Sequence, residues 1–206
     1  MKTRRCGNLL VGGLLVLAAG CIPEFTNPLP PPEKLEVDRE LLGGWTQTEK
    51  SGTENQVLFY SRPTGWMDVL YLMDVNSGSK DSGLDWATYE GYSSALKGEK
   101  FLSLRAREKD YADRRDRPEA FTYMLALYRV VSNECLEITL FSEQKVKELV
   151  EAGVLAGTVG TNRNADAVKV TASSDTLKKA VEERPLSDFL DPTDAMKFER
   201  LRPATR

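Results

Sequence analysis

The sequence predicts a mainly β chain, an antiparallel meander that closes into a barrel or forms a strongly curved sheet, with two short α-helices near the C-terminus. Three observations predict it. Short runs rich in aromatic and branched residues recur from Trp45 to Phe141, separated by clusters of turn-forming residues. The turns between them are short, so neighbours in sequence are expected to pair antiparallel. The hydrophobic period changes to that of a helix only at 142–153 and 173–184.

Each element follows from its residues. Trp45, Gln47 and Glu49 alternate with Thr46, Thr48 and Lys50 in a first strand after Gly43-Gly44. NQVLFYS (55–61) is the second, and RPTG (62–65) turns with Pro63 second and Gly65 fourth, as a type I turn prefers. WMDVLYLMDV (66–75) is the third strand, and NSGSKDSG (76–83) is a flexible loop. LDWATYEGYSSA (84–95), the turn KGEK, and FLSLRAR (101–107) form the next pair. In the last run Leu102, Leu104 and Ala106 share one face and Phe101, Ser103 and Arg105 the other. REKDYADRRDRPE (107–119) is dense in charges of both signs and reads as a solvated loop, or as a docking surface.

AFTYMLALYRVV (120–131) is apolar on both faces, and the turn SNE leads into CLEITLF (135–141). This pair is expected to be a central hairpin covered on both sides. SEQKVKELVEAG (142–153) is a helix with Ser142 as cap, a Val146/Leu149/Val150 stripe and Gly153 as stop. VLAGTVGTNRN (154–164) reads as a Gly-rich connection; no Gly-Lys-Ser/Thr follows, so it is not a phosphate-binding loop. DAVKVTA is a short strand, SSDTLKKAVEER a serine-capped helix ended before Pro185, and AMKFERLRP a last strand. The count is seven to nine strands and two helices.

The N-terminus addresses the chain. Lys2, Arg4 and Arg5 precede an apolar run of 12 residues, Leu9 to Gly20, then Cys21. That is a secretory signal pattern, too short for a membrane span of about 20 residues. LAAGC (17–21) resembles the lipobox of bacterial lipoproteins, although leucine lies four residues before the cysteine rather than three. The resemblance implies cleavage between Gly20 and Cys21, lipidation of Cys21 and membrane anchoring through the N-terminal lipid. By resemblance to Gram-negative lipoproteins, where an aspartate at this position would favour inner-membrane retention, Ile22 implies the outer membrane if the cell has one. The alternative is an ordinary secreted protein with an incidental cysteine. Pro23, Pro28, Pro30, Pro31 and Pro32 then read as a polyproline II tether of roughly 40 Å. The expected organisation is a signal peptide (1–20), a lipidated cysteine and tether (21–34), and one domain (35–206).

Composition narrows the function. Removing residues 1–20 takes Lys2, Arg4 and Arg5 from 28 Lys plus Arg, against 31 Asp plus Glu, and leaves net −6. A nucleic-acid partner is not expected. The chain has no histidine, which removes the Ser-His-Asp and Cys-His arrangements and imidazole metal sites. No cofactor, metal or enzymatic activity is expected. Cys6 leaves with the signal, Cys21 takes the lipid, and Cys135, amid Leu136, Ile138 and Leu140, reads as a buried structural thiol outside any disulfide.

Gly43-Gly44-Trp45 on the first strand resembles the Gly-x-Trp of lipocalin-like domains, whose tryptophan plugs the barrel floor. The two late helices depart from that pattern. The resemblance implies a fold more than a function; an eight-stranded barrel can hold one small ligand in its interior, and an apolar or amphipathic one would suit an aromatic lining. Trp66, Tyr71, Trp86, Tyr89, Tyr92, Phe101, Tyr123 and Tyr128 are the candidate lining. The alternative is an envelope interaction protein with a filled barrel, meeting an envelope protein partner through its charged loop and helices.

Overall fold

The computed structural model describes residues 22–49, 52–73, 85–107, 122–162 and 165–202. Cys21 with the signal segment, the 76–83 loop and residues 108–119 of the charged loop lie outside the described residues.

Eight antiparallel strands close a barrel. They are β2 (Gly43–Thr48), β3 (Glu54–Ser61), β4 (Met67–Met73), β5 (Asp85–Leu96), β6 (Glu99–Ala106), β7 (Tyr123–Ser132), β8 (Cys135–Leu140) and β11 (Met196–Arg200). The spatial order is β6-β5-β4-β3-β2-β11-β8-β7, and β6–β7 pairing closes the ring. Three further strands extend β7. The two-residue β1 (Glu24–Phe25) pairs antiparallel with Tyr123 and parallel with β10 (Ala165–Val170), which pairs with β9 (Gly157–Asn162). Helix α1 (Glu143–Glu151) follows β8, and α2 (Ser174–Glu183) follows β10. Only α2 lies near the C-terminus.

Strand alternation sorts the side chains into two cores. The interior holds Trp45, Val57, Phe59, Met67, Val69, Leu102, Ala126, Tyr128, Leu136, Ile138, Met196 and Phe198. The outer wall of β5–β8 holds Phe101, Leu125 and Leu127 under Val146 and Leu149 of α1, Leu177 and Val181 of α2, and Phe25, Val168 and Val170. This is why β7 is apolar on both faces: Ala126 and Tyr128 point inward, Leu125 and Leu127 meet the helical layer.

Trp45 fills the floor. Its indole N–H donates to Leu41 O at 2.8 Å, and the Arg200 guanidinium lies 4.0 Å from the ring centre. Arg200 also donates to the carbonyls of Glu40, Leu42 and Asn133. Gly65 sits at φ +82°, donates its N–H to Arg62 O, and has Leu35 O where a Cβ would stand. Its turn needs glycine twice over.

Four expectations need correction. Residues 22–30 are not a free tether: Phe25 and Leu29 are fully buried, Thr26 N–H donates to Val170 O, and Asn27 donates to Ala172 O. The Gly-rich connection contains a strand, β9, because a backbone ladder with β10 needs no side-chain pattern. Ser142 stands at the α1 cap without a side-chain bond, whereas Ser173 accepts from Thr176 N at α2. Cys135 is disulfide-bonded, with its partner outside the described residues.

Candidate functional site

The barrel has unlike ends. The floor end carries the turns 62–66, 97–98 and 133–134 and is sealed by Trp45, Leu41 and Arg200. The upper end carries the long connections β4–β5 and β6–β7.

An apolar cavity of about 80 Å³ lies in the upper half. Val57 and Phe59 of β3, Val69 and Tyr71 of β4, and Tyr89 of β5 line one side. Leu102 and Leu104 of β6, Met124 and Ala126 of β7, Ile138 and Leu140 of β8, and Met196 and Phe198 of β11 line the rest. Ile22 also lines it. Liners on adjacent strands meet in register across the sheet, as in Val57↔Tyr71, Val69↔Tyr89, Leu104↔Met124 and Ala126↔Leu140.

One polar atom stands out in this lining. The Tyr71 hydroxyl is buried and has no hydrogen-bond partner among the described residues. Burial, with Glu49 and Tyr89 nearby, pushes its pKa up to about 12, so it stays a neutral O–H. A buried donor without a partner costs about 1–3 kcal/mol, which a polar ligand atom would offset.

The eight aromatic candidates do not share one cavity. Tyr71 and Tyr89 line it, and Tyr128 faces the interior nearer the floor, donating to Asp38 Oδ2 at 3.0 Å. The other five lie outside the interior. Trp86 is 55% exposed at the upper rim. Tyr92 donates to Leu29 O at 2.6 Å, and burial raises its pKa to about 12. Phe101 is fully buried in the outer core, beside Phe141. Trp66 meets Tyr92 edge-on at 5.3 Å, and the Arg105 guanidinium lies 5.4 Å from the Trp66 ring and 5.9 Å from that of Tyr123. Sequence reading missed the aliphatic liners, Leu104, Met124, Leu140 and Met196 among them. Strand parity held the signal, since every second residue of a paired strand shares a face.

Comparison of the chain with protein-family models, with curated proteins and with solved structures gives no match. The geometry of the two remaining surfaces therefore decides what else competes with the cavity. A larger cleft, about 260 Å³, lies on the outer wall between Leu127, Arg129, Glu137, Thr139 and Lys197 and the segment Leu186 to Ala195. Its cations are matched, Arg129 by Glu99 and Lys197 by Glu137 at 3.2 Å. A second polar cluster joins Arg62 to Asp68 and Glu90, and Arg105 to Glu90 at 2.5 Å. Its opposite charges neutralise one another across β4, β5 and β6. Among the described residues no group of three or more His, Cys, Asp or Glu comes together to hold a metal.

Proposed function

We propose that this is a lipid-anchored bacterial envelope protein and a non-enzymatic binding module for the hydrocarbon end of a small apolar or amphipathic ligand. The observation that supports it best is the cavity lining: apolar side chains from seven barrel strands around one unpaired hydroxyl, Tyr71. The volume, about 80 Å³, is well below the roughly 300–1,000 Å³ of sites for drug-sized molecules. A chain end suits it better than a ring system. The LAAGC segment supports the anchor at Cys21, the missing Asp at Ile22 supports an outer-membrane address, and Gly43-x-Trp45 at a sealed floor supports a lipocalin-like domain.

The test uses the chain from residue 21 with Cys21→Ser, so that the packed segment 22–30 is kept. Native mass spectrometry after gentle purification from the source envelope should show a co-purifying small molecule. Titration with dodecanoic acid should show binding that Ala126→Leu weakens by about tenfold or more, some 1.4 kcal/mol. A clean apo mass together with no dodecanoate binding would overturn the reading. The cleft beside Arg129 and Lys197 favours the second reading, an interaction protein that meets an envelope partner on its outer wall.

A further inference from the structure

We propose that the anchored protein sits on the bilayer with its upper end down, so that the apolar cavity opens onto the membrane that holds it. The inference rests on the lipoprotein reading of Cys21 and adds an orientation to it.

The carrying observation is the place of Ile22. It lines the cavity together with Tyr71, Leu104, Met124 and Leu140, all from the upper half. The next residue back in the sequence is Cys21, joined to Ile22 by one peptide bond. The chain after Ile22 has no slack. Pro23 is buried, Glu24–Phe25 pairs with strands on both sides, and Leu29 is locked by the Tyr92 hydroxyl. A lipid on Cys21 would therefore emerge at the cavity rather than at the end of a spacer, and the upper end cannot stand off from the bilayer.

The rim fits such a contact. Trp86, near the start of β5, opposes Leu72 of β4 and is 55% exposed at the same end. Tryptophan favours the membrane interface, where one part of the ring is apolar and the N–H stays wet. Net charge does not pull the chain down, since residues 21–206 carry −6. The contact should therefore be insensitive to salt, unlike binding through a basic patch.

The three tryptophans report the orientation. Trp45 plugs the floor, Trp66 packs on the outer wall against Tyr92 and Arg105, and Trp86 stands exposed at the upper rim. The experiment takes acylated protein from the membrane fraction, reconstitutes it in phosphatidylethanolamine/phosphatidylglycerol vesicles, and measures quenching by nitroxide-labelled phospholipid. Wild-type emission should be quenched equally at low and high salt. Trp86→Phe should lose that quenching, and Thr48→Trp in the Trp86→Phe protein should restore it, because Thr48 ends β2 at the upper end and is exposed. Protein that floats with the vesicles but shows no quenching overturns the orientation. Quenching that Trp86→Phe removes and Thr48→Trp fails to restore also overturns it, in favour of a side-on pose. Protein that lacks acyl groups and does not float overturns the anchor itself, and the orientation with it.

Discussion

At the scale of residues, the floor is held by a small set of polar contacts around one indole. Trp45 is buried, bonded through its N–H and stacked under Arg200, which satisfies three backbone carbonyls in one fork. Gly43-x-Trp45 was legible in sequence; Arg200, 155 positions away in a run of ordinary charges, was not. Asp38 ties the same floor to the N-terminal segment. Burial would raise its carboxyl, but Lys100 Nζ at 2.6 Å, the Glu40 N–H and the Tyr128 hydroxyl outweigh burial and hold the pKa below its ordinary value. Asp68 and Glu90 are lowered too, Asp68 chiefly by its hydrogen bond from Arg62, and Glu90 by Arg105 and Arg62 against burial. A depressed folded-state pKa contributes stability that is complete above the unfolded value, about 4, and is lost as pH falls through the folded value. Stability should therefore hold from neutral pH down to about 4 and drop below it. Asp38→Asn should lower stability at neutral pH and converge with wild type in acid. Urea midpoints measured from neutral to strongly acidic pH check this; parallel curves for the two proteins would remove Asp38 from the floor's energetics.

At the scale of elements, the barrel strands were legible and the layer around them was only partly so. Alternation in FLSLRAR and the doubly apolar AFTYMLALYRVV reported their surroundings because each strand packs a long regular face. β1 offered no such signal: it has two residues, set among five prolines that read as a spacer. β9 was hidden by its glycines, and Gly157 is needed there because a Cβ would stand 2.6 Å from Lys169 O. The misread segment has an energetic consequence. Phe25 and Leu29 are fully buried against the outer core, with the Phe25 ring 5.8 Å from that of Phe141. Removing a buried phenylalanine side chain costs about 3–5 kcal/mol. Phe25→Ala should lose about that much, and a chain beginning at Glu33 should lose more, since it gives up Leu29 and the β1 ladder as well. Equilibrium unfolding of chains starting at Ile22 and at Glu33 measures it. Equal midpoints would restore the segment to a tether.

At the scale of the whole molecule, the barrel is a wall between two cores, and the candidate site is the part of the inner core that the side chains leave unfilled. The site was less legible than the fold because the sequence reading weighed residue type, aromatic over aliphatic, where position on the strand decides. Maturation sets the last constraint. Cys135 opens β8 at the floor end and is disulfide-bonded, and the chain has two other cysteines, Cys6 and Cys21. A bridge needs Cα atoms within about 7 Å. Ile22 lies at the upper end, whereas Cys135 opens β8 at the floor end. Under the lipoprotein reading, cleavage removes Cys6 and the lipid occupies the Cys21 sulfur, which leaves Cys135 neither of these two partners in the mature chain. Peptide mapping of the envelope-extracted protein without reductant should find an acylated Cys21 peptide and no Cys21–Cys135 cross-link. A Cys21–Cys135 cross-link would show that the sulfur assigned to the lipid serves the fold instead. It would overturn the anchor and leave an exported barrel stapled by its own N-terminus.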